Sequence, residues 1–225
     1  MRVVVISHHS VDSPGLIGAA FEDLGADLSV HHFPRDGALP DLSGVDHVVV
    51  LGSVHSVNDG GQAGDWIAAE LSWLRQADRA GVPVLGICFG AQALCAAFGG
   101  TVEQAPGKEI GWFLVDSADS ELIPPGPWLE FHGDRCLPPA GATLLASNDT
   151  GTQAFSIGSH LAVQFHPEAD GEQLSRWLDG GGRAEAERAG QDPAGFLAET
   201  FAREDDARKR AAQIVAAARR LAHSG

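Results

Sequence analysis

The stretch "PVLGICFGAQALCAAFGG" (Pro83–Gly100) decides how the chain is read. An apolar run, Val82–Ile87, stops at Cys88, and an Ala-rich helical pattern, Ala91–Phe98, follows. "GICFG" fits Gly-x-nucleophile-x-Gly on a strand–turn–helix, the spacing of a nucleophile elbow. The need is steric. A nucleophile held in a strained turn brings backbone too close for side chains two residues either side, so Gly86 and Gly90 fit. The turn would set Cys88 at the start of the helix, where unpaired N–H groups and the helix dipole favour an anion. The Phe89 N–H would point into the same space and could stabilise an oxyanion. The spacing also suits an inert packed cysteine on a strand end, because free Cys is commonly buried. Cys95, among Ala and Phe one helical face inward, reads as core. Cys136, in "GDRCLPP", has no base beside it in sequence.

The flanking segments repeat the strand-then-helix pattern. Val3–Ile6 is a continuous β-branched run, as in a strand buried on both faces. Leu16–Leu24 reads as a helix, Asp27–Phe33 and His47–Gly52 as strands, and Asp65–Ala80 as a helix with Asp65 as its N-cap. Such alternation implies right-handed βαβ units and a parallel sheet covered on both faces. After Gly99 short strand-like pieces separated by Gly/Pro turns take over: Thr101–Gln104, Gly111–Val115, Trp128–Phe131, Thr143–Ser147, Gln153–Ile157 and His160–Phe165. They read as an antiparallel addition and a return to the main sheet. The chain turns helical from Asp170, breaks at Gly180–Gly182, and closes with a charged, Ala-rich helix, Arg203–Ala222, packing through Ile214, Val215 and Leu221. The expected fold is α/β, an open, mostly parallel sheet with helices on both faces plus a small antiparallel addition, in one domain over residues 1–225.

The bulk properties narrow the function classes. A chain of 225 residues with 44% hydrophobic residues suits one substantial globular domain. A net charge of −15 argues against a nucleic-acid surface. No apolar run approaches the ~18 residues of a membrane span, and the N-terminus lacks the pattern of a signal peptide. Three irregularly spaced cysteines make no disulfide framework. A reduced, cytoplasmic protein is the simplest expectation.

A thiol nucleophile needs a base, and the base needs an orienting group. "HLAVQFHPEAD" (His160–Asp170) supplies both. His166 follows an apolar run, with Glu168 two residues on, where it could accept the far ring N–H and fix the tautomer. An isolated His-Pro-Glu also suits an ordinary turn; downstream of a cysteine elbow the joint signal is far stronger.

At these residues the chain resembles the class I, or triad, glutamine amidotransferase family. The matching pieces are "GICFGAQ", "QFHPE", "KEIGW" (Lys108–Trp112), "FHGD" (Phe131–Asp134) and "LGSVHSVND" (Leu51–Asp59), in the family's order. Within the family the chain is similar to stand-alone members related to the amidotransferase domain of guanylate (GMP) synthase. The resemblance implies Cys88 as nucleophile, His166 as general base and acid, and Glu168 as orienting residue. It implies attack on the glutamine carboxamide, release of ammonia, and a γ-glutamyl thioester that water hydrolyses. Gln92 matches a residue that contacts bound glutamine, and Phe131 and His132 a segment that holds its amino-acid end, although His132 also suits an ordinary turn. One departure stands out. The family's oxyanion loop usually carries two adjacent glycines and a proline, whereas this chain reads Gly52-Ser53-Val54. Ser53 can offer its N–H only if its backbone conformation tolerates a side chain.

No phosphate-binding Gly-x₄-Gly-Lys-Ser/Thr, Gly-x-Gly-x-x-Gly or His-Glu-x-x-His pattern occurs, so neither cofactor nor metal is expected. His8–His9 and His31–His32 fall at strand ends, and a few of these side chains would face the cleft. The implied partners are glutamine or another γ-glutamyl small molecule and a separate synthase carrying the ammonia acceptor, with no nucleic acid and no membrane. Two alternatives remain: a stand-alone γ-glutamyl hydrolase or peptidase, and a non-catalytic regulatory protein on the same fold.

Overall fold

The computed structural model describes residues 1–223. One nine-stranded sheet forms the spine, in the order β2-β1-β3-β4-β9-β8-β6-β5-β7. Its first half is parallel: β1 (Arg2–Ser7), β2 (Asp27–His32), β3 (His47–Val50), β4 (Val84–Ile87) and β9 (His160–Val163). Strand β1 shows why. Val3 and Val5 enter one core with Leu16, Ile17, Phe21, Ile214 and Val215. Val4 and Ile6 enter the other with Ile67, Trp73, Leu74 and Leu94. A period-two side-chain alternation with both faces apolar can only be satisfied between two helical layers. Those layers are α1 (Gly15–Glu22) and α7 (Glu204–Ala222) on one side, and α2 (Gly61–Arg79) and α3 (Phe89–Ala97) on the other. Each fully buried Val or Ile contributes roughly 1.5–3 kcal/mol.

The second half departs from the expected open parallel sheet. β5 (Thr101–Ser117), β6 (Gly126–Leu137), β7 (Thr143–Asn148) and β8 (Gly151–Ile157) are antiparallel, and β7 pairs with both β5 and β8, so these strands close on themselves as a small barrel. This is no minor addition. The pieces expected at Thr101–Gln104 and Gly111–Val115 are one strand, whose pairing with β6 shifts register between Gln104 and Glu109. Pro106 and Gly107 lie in that bulge, where a missing ladder N–H is tolerated. Trp128–Phe131 is likewise the middle of a longer β6. Asp65 is not an N-cap: α2 starts a turn earlier, capped by the Gly60 backbone with no side-chain bond.

Helices α4 (Gly171–Trp177), α5 (Arg183–Arg188) and α6 (Pro193–Ala202) pack on the antiparallel half through Ile110, Leu129, Leu174, Leu178 and Phe196. The expected break at Gly180–Gly182 lies in a π turn, Leu178–Gly182, in which Gly181 adopts φ 117°. In α7, Ile214 and Val215 are fully buried, Leu221 packs at the edge, and Ala211, Ala217 and Ala218 complete the buried face. Among the described residues no helix is long and apolar enough to cross a membrane.

Candidate active site

Strand β4 ends at Ile87, and the chain turns directly into α3 at Phe89. Cys88 occupies the turn with φ 51° and ψ −104°, and is the one non-glycine among the described residues with positive φ. Such a conformation costs about 1–3 kcal/mol and persists only when its surroundings impose it. They do. The Cys88 N–H donates to Val163 O at 2.8 Å, and its carbonyl accepts from Gln92 N–H at 3.1 Å. A Cβ on Gly86 would lie 2.4 Å from Gly90 O, and one on Gly90 2.2 Å from Val50 O. Only glycines let β3, β4 and α3 approach this closely.

His166 enters from beyond β9, its N–H donating to Leu129 O at 2.8 Å. Its Nδ1 lies 2.8 Å from Glu168 Oε1, and both side chains are buried. The Nε2 finds no oxygen or nitrogen partner among the described residues. Burial alone would lower the His166 pKa; Glu168 and Cys88 outweigh it and hold the imidazole well above its usual value. Trp177 fixes the ring edge-on at 4.8 Å, and its own indole N–H donates to Asp12 Oδ1 at 2.9 Å. Glu168 is held by its backbone too, its carbonyl accepting from Leu16 N–H at 2.9 Å. That approach requires Gly15, where an added Cβ would sit 2.0 Å from Glu168 O.

The remaining residues converge on the same place. A Cβ built on Gly52 would lie 3.2 Å from His166 Cε1 and 3.8 Å from Cys88 Cβ, so this backbone covers both groups. Ser53 follows, its Oγ accepting from His55 N–H at 3.1 Å. Two clefts meet at Cys88. One, about 240 Å³, runs past His166, Asp12, Arg176 and Trp177. The other, about 390 Å³, is lined by Phe89, Gln92, Lys108, His132 and Asp134. Ser53 and Phe131 line both. Gln92 is buried, with its Nε2 3.4 Å from Gln164 Oε1. Lys108 pairs with Glu185 across the rim.

His132 is no ordinary turn histidine. It lies within β6 with its Nδ1 2.9 Å from Asp134 O and its Nε2 3.2 Å from Glu109 and 3.1 Å from Glu130. Burial opposes its charge, but the two carboxylates push its pKa up to about 10. Glu109, which also accepts from Asn148 and Gln153, is held low despite burial. Glu130, completely buried, is pushed up. One ligand atom from each of these three residues lies within 4.8 Å of the other two, and the imidazole faces both carboxylates. Cys95 and Cys136 are buried near Leu137 O and Gln164 respectively, away from the turn. Several participants carried no sequence signal of a role here: Gly15, Asp12, Trp177 and Glu130. Glu109 did lie in the quoted "KEIGW".

The glutamine amidotransferase class-I family pattern matches residues 15–178. GMP synthases (glutamine-hydrolysing) from Brucella melitensis and Brucella ovis are 34% identical over 42% of this chain. The chain matches only 22% and 21% of those relatives' lengths. A glutamine amidotransferase from Thermotoga maritima superposes with a TM-score of 0.88 at 23% identity, covering 100% of this chain and 99% of that one. One from Methylobacillus flagellatus gives 0.85 at 23% identity, over 98% and 94%. With the pattern spanning both the cysteine turn and the His-Pro-Glu segment, this chain belongs to the class-I glutamine amidotransferase family.

Proposed function

We propose that this chain hydrolyses the side-chain amide of glutamine, with Cys88 as nucleophile, His166 as proton carrier and Glu168 as orienting group, for delivery of ammonia to an acceptor on a separate synthase. The observation that carries the proposal is the chain of contacts from the strained Cys88 turn through His166 to Glu168, with Nδ1 2.8 Å from Oε1. The Cys88 thiolate adds to the amide carbonyl carbon, and the carbonyl oxygen takes the negative charge. N–H groups of Phe89 and Ser53 stabilise that oxyanion. As the C–N bond breaks, His166 gives a proton to the leaving nitrogen, which departs as ammonia and leaves a γ-glutamyl thioester. Water attacks the thioester, His166 takes its proton, and the C–S bond breaks to release glutamate and restore the thiolate. Gln92, Phe131 and His132 line the cleft of about 390 Å³, which would take the amino-acid end.

One observation favours a second reading. The cleft on the His166 side holds about 240 Å³, whereas an ammonia-sized molecule needs about 30 Å³. A γ-glutamyl amide or peptide with a larger leaving amine would fill it. Glutamate release from glutamine by the purified chain, with Cys88→Ala as control, tests the proposal. Release abolished in the variant supports it. Release from γ-glutamyl dipeptides but not from glutamine supports the second reading, and release from neither by the wild type overturns both.

A further inference from the structure

The catalytic steps above do not use the buried pair of His8 and Glu70. His8 follows β1, and its Nδ1 lies 2.9 Å from Gly52 O while its Nε2 lies 2.9 Å from Glu70 Oε2 on α2. Its side chain is 2% exposed and that of Glu70 is fully buried. The ring packs against Trp66 at 5.4 Å and edge-on to Phe89 at 4.7 Å, so it cannot swing away. A carbonyl oxygen only accepts, so Nδ1 carries a hydrogen and donates to Gly52 O. The groups that favour the ring's charge are Glu70 from α2, the Gly52 carbonyl and, least, Asp12 from the loop after β1; α3 presents the Phe89 ring, and the Gly52 loop also carries His55 and Asp59, paired with each other at 2.9 Å. Burial opposes the imidazolium, but Glu70, the Gly52 carbonyl and Asp12 together raise the His8 pKa, and with Nδ1–H committed to Gly52 O the Nε2 faces the Glu70 carboxylate at 2.9 Å.

The consequence follows from the planar peptide unit. The carbonyl of Gly52 and the N–H of Ser53 share one plane and point in opposite directions. A donor that pins the oxygen on one side turns the N–H to the other. Ser53 lines both clefts at Cys88, and among the described residues no protein acceptor takes its N–H. We propose that His8 and Glu70 clamp the Gly52 carbonyl so that the Ser53 N–H is aimed at the oxyanion formed at Cys88. His8 is then a positioning residue. It imposes on a serine the peptide orientation that a glycine pair reaches by its own freedom. This inference rests on the γ-glutamyl reading above.

The test compares two reagents on Cys88. The chloromethyl ketone analogue of glutamine reacts through addition to its carbonyl and so needs the oxyanion site. Iodoacetamide displaces iodide directly and does not. Removing His8 alone would strand buried Glu70, so the variant is His8→Leu with Glu70→Leu, which replaces both partners. Its partner is His8→Asn with Glu70→Leu, whose amide nitrogen reaches the position of Nδ1. The first variant should lose about 10²-fold in ketone labelling rate, with iodoacetamide labelling unchanged, and the asparagine should restore most of the loss. Equal ketone labelling in all three proteins overturns the inference. So does a parallel fall with both reagents, or no rescue by asparagine. A wild type that iodoacetamide labels and the ketone does not overturns the γ-glutamyl reading itself, and is recognised without any His8 variant.

Discussion

Gly90→Ala puts the packing of the cysteine turn to a quantitative test. The added Cβ would lie 2.2 Å from Val50 O, about 1.2 Å short of the ordinary 3.4 Å contact, and 2.9 Å from Val50 C and Cβ. Val50 cannot yield, because its strand is paired on both sides, with Ile6 and with Gly86. Helix α3 must therefore move, and it carries the start of the turn with it. Gly90 has an ordinary helical backbone, so the cost is steric. Overpacking of this kind costs about 1–3 kcal/mol, and a rigid backbone neighbour places it at the upper end. For a chain of this size about 3 kcal/mol lowers Tm by roughly 6–12 °C. A displacement near 1 Å of Cys88 and the Phe89 N–H should cost about 10²-fold in kcat. Thermal melting and glutamate release measure the two effects. Gly107→Ala is the control, since nothing lies within 4 Å of its added carbon. A Gly90→Ala protein that melts with the wild type and turns over normally would refute the account of why glycine stands there.

Three further outcomes are expected. Glu168→Gln removes the charge that does most to raise the His166 pKa, leaving only Cys88 to oppose burial; kcat should fall by about 10²- to 10⁴-fold with little change in KM, and steady-state kinetics would detect it. Gly15→Ala, whose added carbon would sit 2.0 Å from Glu168 O, should displace Glu168 and lower kcat without touching substrate, and a crystal structure of the variant would show the Leu16–Glu168 bond broken. His132 has a pKa of about 10 in the folded protein, above its value in an unfolded chain, with Glu109, Glu130 and Cys88 as the groups that favour its charge. Its contribution to stability is whole below about pH 6.5 and is lost as pH rises toward 10. Melting temperature should fall across that window, and His132→Gln should remove that part of the fall.

Much of the fold was legible because it rests on local patterns. Val3–Ile6 announced a strand buried on both faces, and alternating strands and helices announced the parallel half. The antiparallel half was underestimated at "QAPGKE" (Gln104–Glu109), where Pro and Gly read as a turn but lie in a bulge of one continuous strand. Asp65 looked like a cap because the signal for one is a side chain, and Gly60 has none. At the candidate site, the patterns that singled out Gly86, Cys88 and Gly90, and separately His166 and Glu168, are local ones, each confined to a few residues of sequence. The long-range partners were not. His8 and Glu70 are 62 positions apart and meet only because β1 and α2 bracket the Gly52 loop. Gly15 carries a positive φ that its sequence neighbourhood does not reveal, and its necessity comes from Glu168, more than 150 residues away.

The central claim is that Cys88 forms a covalent bond to the γ-glutamyl group. Intact-mass spectrometry of the chain mixed with glutamine and quenched in acid, followed by peptide mapping, tests it directly. The account predicts a mass increase of one glutamyl group, located on Cys88, formed in the wild type and absent from Cys88→Ala. Glutamate release that persists in Cys88→Ala, or an adduct on Cys95 or Cys136 instead, would contradict it.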